Sequence, residues 1–179
     1  MSAPKQLFVL RHAKSSWDDP GLEDHERPLA PRGRRAVKLL NEYLRRHEIE
    51  PAEVLCSPAR RTVETYDGVA PAGELHLEPE LYLASGDDVL ERLRRVPAPT
   101  PSVMVIGHNP AMQVLILRLT GANGTSKTLG DDATQARLDE VQRKFPTGAL
   151  ATLTFDGPWS ALAPGSAELV DLVRPRDLH

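Results

Sequence analysis

Short runs of apolar residues alternate along the chain with segments in which apolar positions recur every three or four residues. The runs at residues 5–10, 53–56 and 102–106 have the length of buried strands. Over residues 32–47, apolar side chains recur at helical spacing and charged side chains fill the positions between them, which predicts an amphipathic helix. This alternation predicts an α/β three-layer sandwich, a mostly parallel sheet with helices on both faces.

Weaker patterns complete the predicted order of elements. Three further helices are expected at residues 57–68, 87–95 and 111–119. Three further strands are expected at residues 75–77, 149–155 and 168–173. Ser57 and Pro58 would open the first of these helices, as its N-cap and its first-turn proline.

Two segments have the composition of loops. Prolines and a glycine over residues 18–31 predict a surface loop. The stretch from Gly121 to Thr134 is rich in glycine, serine, threonine and aspartate, which favours mobility. We therefore expect a single domain over residues 1–179 that carries a mobile insertion at residues 121–144.

Composition narrows the classes of protein that fit this fold. The 179 residues suit one domain, and the 40% apolar and 26% charged content is that of an ordinary globular protein. A formal net charge of −3 argues against a nucleic-acid-binding protein. The single cysteine, Cys56, excludes an internal disulfide and favours a reducing compartment. The apolar runs are too short for a signal peptide or a membrane span, so we expect a cytoplasmic protein without a membrane partner.

Polar residues come directly after the ends of three of the predicted strands. Arg11-His12 ends the first, the segment from Ser57 to Arg61 follows the second, and His108-Asn109 follows the fourth. In open α/β sheets, ligands bind outside the carboxyl ends of the strands, so these groups are expected to meet at one edge. Neutral imidazole is a nucleophile toward phosphorus, and guanidinium matches phosphate bidentately. The pattern predicts a site for a phosphoryl group, although each motif alone also fits a polar surface loop.

Two other chemistries fit the sequence less well. A cysteine phosphatase loop places arginine six positions after the cysteine, but Arg61 lies five positions after Cys56, which we expect to point into the core. His25 lies among acidic residues, yet no two histidines have the spacing of metal ligands on a helix. A solvated acidic loop is the better interpretation of this segment, and we expect no metal and no cofactor.

The motifs together resemble the histidine phosphatase superfamily, which includes the phosphoglycerate mutases, and most closely the SixA-type phosphohistidine phosphatases. The likeness runs from Gln6 to Leu178 and weakens over the expected insertion. Ala13 departs from the glycine usual in the wider superfamily. The segments that carry the resemblance are Arg11-His12-Ala13-Lys14-Ser15-Ser16-Trp17, Arg27-Pro28-Leu29, Arg32-Gly33, Ser57-Pro58-Ala59-Arg60-Arg61-Thr62, Gly107-His108-Asn109, Phe145-Pro146-Thr147-Gly148 and Arg174-Pro175-Arg176.

The resemblance implies a role for each residue that matches a family motif. His12 would be the histidine that is phosphorylated, Arg11 and Arg61 the arginines that bind the phosphoryl group, and His108 the second histidine. Ser15 would place a hydroxyl on the phosphate. A metal-independent phosphatase for phosphohistidine on a signalling or phosphocarrier protein is implied. The alternatives are a phosphatase or mutase for small phosphomonoesters and a non-catalytic phosphate-binding module.

A carboxylic acid that protonates the leaving group is expected only in relatives that cleave phosphomonoesters. Their proline-x-leucine-x pattern aligns with Glu78-Pro79-Glu80-Leu81-Tyr82-Leu83, which places Leu83 at the position of the acid. Glu80 and Asp87 lie nearby in sequence. Phosphohistidine has a better leaving group than an alkyl ester, so the missing acid favours a phosphoramidate substrate.

Overall fold

The computed structural model describes residues 3–122 and 131–179, with a six-stranded sheet at its centre. Its strands are β1 Lys5–Arg11, β2 Glu53–Cys56, β3 Glu74–Leu77, β4 Ser102–Gly107, β5 Leu150–Phe155 and β6 Glu168–Val173. They lie in the order β3-β2-β4-β1-β5-β6. The pairs β3–β2, β2–β4 and β4–β1 are parallel, whereas β5 is antiparallel to both of its neighbours. The prediction of a mostly parallel sheet is confirmed.

Helices cover both faces of this sheet. They are α1 Pro31–Arg46, α2 Arg60–Val69, α3 Gly86–Arg94, α4 Ala111–Leu119 and α5 Asp132–Arg143. Apolar residues of α1 and α2 pack on one face, and those of α3, α4 and α5 pack on the other. The predicted three-layer sandwich is therefore confirmed. None of the described helices is long and apolar enough to cross a bilayer.

Side chains of the central strands alternate between the two layers. Leu7 and Val9 of β1 face α3–α5, while Phe8 and Leu10 face α1 and α2, and all four are buried. Full burial of such a side chain contributes roughly 1.5–3 kcal/mol. Because both faces of the sheet are covered by helices, the sequence of β1 is a nearly continuous apolar run. The pairing of β1 with its neighbours places Arg11 and His12 at the edge where the parallel strands end.

The second half of the expected insertion contains a helix, and the mobility of the insertion stays a prediction. Residues 132–143 form α5, which buries Leu138 and Val141 against the core and is capped by Asp131, whose carboxylate accepts from the Thr134 amide at 2.8 Å. Few apolar residues mark this helix, so its repeat is weak in sequence. The remainder of the expectation, over residues 123–130, lies outside the described residues.

The segment expected to be a surface loop is partly buried. It contains a short 3-10 turn, Asp24–Glu26, and buries the side chains of Arg27 and Leu29. Its Ala30 amide donates to the Lys14 carbonyl at 2.8 Å, and the first turn of α1, which follows directly, packs closely on the same residue, because a Cβ on Gly33 would lie 2.2 Å from the Lys14 carbonyl oxygen. Only glycine allows this approach. The acidic segment is thereby held beside the end of β1.

Candidate active site

Parallel pairing brings the ends of three strands side by side. The His12 amide donates to the Gly107 carbonyl at 3.0 Å, and the Ser57 amide donates to that of Ile106 at 3.1 Å. The rings of His12 and His108 consequently lie with their centroids 5.3 Å apart. The two histidines predicted to meet at this edge do so, although 95 positions separate them in sequence.

The environment of His12 sets both its charge and its tautomer. Its Nδ1 lies 2.7 Å from the Ala13 carbonyl oxygen, which can only accept, so Nδ1 carries the hydrogen and Nε2 keeps its lone pair. Burial, against the hydrogen bond to Ala13 and together with the neighbouring His108 and the charges of Arg61 and Arg11, lowers the pKa of His12 to about 3. The imidazole is neutral at physiological pH and nucleophilic at Nε2.

This depressed pKa predicts that His12 makes the fold sensitive to acid. Below pH 6.5 the unfolded chain protonates this imidazole while the folded protein keeps it neutral down to about pH 3, so acidification favours unfolding. Between pH 7 and pH 5, His12 should account for a loss of about 2 kcal/mol in the free energy of unfolding. Denaturant unfolding of His12→Asn should lack that loss, whereas His25→Asn, at an exposed position, should retain it. Equal pH dependence in all three proteins would refute this account.

His108 is held by Ser57 on one side and Arg61 on the other. A guanidinium can only donate, so the contact of 3.3 Å from Arg61 makes Nδ1 of His108 the acceptor. Its Nε2–H then donates to the Ser57 hydroxyl at 2.8 Å. Burial, together with the charge of Arg61, lowers the pKa of His108 to about 4. Ser57 was expected to cap α2; that expectation is wrong, since Ala59 precedes the helix and Ser57 orients His108.

Arg61 points into the site and meets an acidic residue there. It is 6% exposed, and it donates to the backbone carbonyl of Asp24 at 2.8 Å and to its carboxylate at 3.0 Å. The Tyr82 hydroxyl donates to the same carboxylate at 2.7 Å. The hydrogen bond from Tyr82, followed by those from Arg61 and Arg27, lowers the pKa of Asp24 to about 2. The interpretation of this segment as a merely solvated acidic loop is wrong for Asp24.

Arg27 is a third arginine beside the site. It belongs to one of the motifs that carry the family resemblance, but the resemblance implies no role for it. Its guanidinium donates to Asp24 at 3.1 Å and to the Ser15 hydroxyl at 2.7 Å, and it stacks 3.6 Å from the centroid of the exposed Trp17 ring. Ser15 is buried and tied to Arg27. Its hydroxyl contact with a phosphate stays a prediction.

Arg11 and Asn109 converge on a single backbone carbonyl. Both donate to Phe145 O, from Nη1 at 3.1 Å and from Nδ2 at 2.8 Å respectively. The Nε atoms of Arg11 and Arg61 are buried without an acceptor among the described residues. Burying donors without partners costs free energy, and an anion at this edge would supply acceptors.

The two rival chemistries find no support in the described part of the chain. Cys56 is fully buried and its thiol donates to the Ser57 carbonyl at 3.3 Å. Burial raises the pKa of Cys56 to about 12, so the thiol stays protonated, and the prediction that it lies in the core is confirmed. No group of three or more histidine, cysteine, aspartate and glutamate side chains in residues 3–122 and 131–179 could hold a metal ion.

Comparisons with known proteins agree with this geometry. The sequence profile of the histidine phosphatase superfamily (branch 1) matches residues 7–85. An uncharacterized protein of Mycobacterium tuberculosis is 36% identical over 167 residues, which cover 93% of this chain and 100% of the relative. A candidate phosphohistidine phosphatase, SixA, from Nakamurella multipartitia is 30% identical with a TM-score of 0.82, covering 97% of this chain and 98% of that one.

A more distant structure shares the fold. The protein histidine phosphatase SixA complexed with tungstate has a TM-score of 0.73 at 23% identity, and the match covers 96% of this chain and 98% of that chain. At this identity the likeness extends to the order and packing of the elements. The resemblance noted on the motifs is therefore matched over nearly the whole chain by sequence and by fold.

Proposed function

Because the chain belongs to the histidine phosphatase superfamily, and is a phosphatase of that family, we propose that it removes phosphate from phosphohistidine through a phosphoenzyme on His12. The observation that carries this proposal is the neutral His12 imidazole: its Nε2 keeps its lone pair, its ring centroid lies 5.3 Å from that of His108, and the charges of Arg61 and Arg11 act on it. The substrate would be a phosphohistidine on a signalling or phosphocarrier protein. The buried, unpaired Cys56 suits the reducing cytoplasm, where we expect the protein to act.

The reaction would proceed in two displacements at phosphorus. Nε2 of His12 attacks in line, the bond from phosphorus to the substrate nitrogen breaks, and the departing imidazole takes up a proton. Water then attacks the phosphorylated His12, which releases inorganic phosphate and restores the neutral ring. Arg11 and Arg61 would bind the equatorial oxygens and neutralise their charge, the largest contribution to phosphoryl transfer, and the neutral His108 would donate its Nε2–H to one of these oxygens in place of the Ser57 hydroxyl.

The carboxylates near the site support a substrate that needs no general acid. Leu83, at the position of the acid, is 84% exposed with a φ of 63°. Glu80 pairs with Arg95 and Asp87 with Arg118. Asp24 contacts Arg61, but with its pKa lowered to about 2 by Tyr82 and the arginines it carries no proton to donate.

We therefore expect a large difference in rate between substrate classes. A phosphohistidine protein and phosphoramidate should be cleaved well, an aryl phosphate measurably, and an alkyl phosphate at least about a hundredfold more slowly, since general acid catalysis contributes that much or more. The measurement is kcat/KM for the four substrates side by side. Efficient alkyl phosphate hydrolysis would refute the proposal, and its loss in Asp24→Asn, with aryl phosphate turnover kept, would then identify Asp24 as the acid.

Activity should also be independent of added metal. Because side chains supply the positive charge around the phosphoryl group, hydrolysis of phosphoramidate should survive exhaustive dialysis against EDTA and should not rise with magnesium. The measurement is kcat before and after chelation, with a magnesium-dependent phosphatase as the positive control. Loss of activity that a single divalent ion restores would contradict the metal-independent mechanism.

A further inference from the structure

A cleft of about 880 Å³ lies next to the catalytic residues and is lined mainly by positive charge. Its walls come from the end of β1 and the chain just after it, the first half of α1, the end of α5 with the residues that follow it, and the chain that follows β6. Eight of its fourteen lining residues are arginine or lysine, and one is acidic. The whole chain carries a net charge of −3, so this charge is concentrated rather than general.

The cleft lies at the same edge of the sheet as the two site histidines, but neither histidine lines it. Arg11, the last residue of β1, lines it, and so does Arg174, which directly follows β6. Since β6 is antiparallel to β5, which is antiparallel to β1, both residues lie at the same edge. His12, Arg61 and His108 do not line the cleft. The two sites are thus adjacent and share Arg11.

Most of the cations in this cleft have no acidic partner. The one acidic side chain, Glu140, is paired with Arg174, which also bonds Asp177 at 2.8 Å. In the described part of the chain, no salt bridge within 4.0 Å is made by the other seven cations of the cleft, which are Arg11, Lys14, Arg32, Arg35, Arg143, Lys144 and Arg176. Like charges held together in a concavity repel one another, and a bound anion relieves that repulsion.

We propose that this cleft is a second anion site, which binds small molecules that carry a chain of phosphates. Three observations favour this ligand class: the concave volume is that of a small-molecule site, the cations are mainly arginines, and they surround the cleft from four parts of the chain. Because Arg11 belongs to both sites, such a ligand competes with substrate and inhibits the phosphatase. This inference does not depend on the identity of the phosphorylated substrate.

The test is calorimetric titration with tripolyphosphate, using charge reversals inside and outside the cleft. Arg35→Glu and Arg143→Glu should each weaken binding at least about tenfold. The matched control is Arg34→Glu, an exposed arginine of the same helix that does not line the cleft, and it should change affinity by less than about threefold. Arg61→Ala, which disables the catalytic phosphate site, should still bind one equivalent.

Four results would overturn the proposal. These are no measurable binding, equal losses in Arg34→Glu and the cleft variants, loss of binding in Arg61→Ala alone, and equally tight binding of a hexaglutamate peptide, which would indicate an acidic protein partner instead. Phosphoramidate hydrolysis by Arg35→Glu without tripolyphosphate should equal that of the wild type. A failure of the proposed phosphatase activity would appear in that assay and not in the titration.

Discussion

Replacement of His12 by alanine is expected to lower phosphoramidate turnover at least about a thousandfold, because no other described group can take its place as nucleophile. Nε2 of His12 is the unprotonated ring nitrogen at the site, whereas Nδ1 of His108 is occupied by Arg61. The measurement is kcat/KM, with His25→Ala, an exposed histidine, as the control. Thermal unfolding of both variants at pH 7 should show that each is folded. Substantial turnover by folded His12→Ala would contradict the mechanism.

Arg61→Ala is expected to reduce kcat/KM about a hundredfold, which corresponds to about 3 kcal/mol of transition-state stabilisation. The reason is that Arg61 is buried beside both histidines and contacts Nδ1 of His108 at 3.3 Å. The loss of a charge-assisted, bidentate contact in a water-poor site is not compensated by solvent.

Arg60→Ala provides the matched control for this loss. Arg60 is the preceding residue of α2, but its side chain is 54% exposed and pairs with Glu64 at 2.9 Å on the outer side of the helix. An exposed pair at this spacing contributes little, so Arg60→Ala should retain activity within a few-fold. Equal losses in the two variants would show that the phosphoryl group is not bound by Arg61 in particular.

The main elements of the site follow from sequence because they depend on local rules. Polar residues stand at or directly after the ends of three apolar strands, and parallel pairing then brings His12 and His108 to one edge whatever separates them in the chain. The family motif assigns the phosphoryl-binding role to Arg61 and not to Arg60. Helical geometry agrees that only one of the two can face the site, since neighbouring residues of a helix point about 100° apart. Strands β2 and β6 begin and end where their apolar patterns predict.

The remainder of the site depends on long-range packing that no local pattern reports. Asp24 and Arg27 lie in a proline-containing segment, and Tyr82 lies in a turn more than fifty positions later. The carboxylate of Asp24 nevertheless accepts hydrogen bonds from Arg27, Tyr82 and Arg61. Ser57 illustrates a competition between roles. Its place before a helix suggests an N-cap, but the hydroxyl bonds His108 instead because β2 and β4 are adjacent.

Asp24 contacts the same donors that a phosphoryl group at Arg61 would use. Its carboxylate accepts hydrogen bonds from the guanidinium groups of Arg61 and Arg27 and from the hydroxyl of Tyr82. A phosphoryl group bound at Arg61 would share or displace these contacts. One feature of the sequence points to a role for Asp24 at the site: it lies three residues before Arg27, the arginine of a family motif.

The central claim, a covalent intermediate on His12, is tested most directly by trapping it. The protein is mixed rapidly with radiolabelled phosphoramidate, quenched in alkali within its turnover time, and digested for mass spectrometry. The account predicts base-stable, acid-labile label on the peptide that contains His12, and none in His12→Ala. Label that survives acid, or label on a different residue while turnover proceeds, would contradict it.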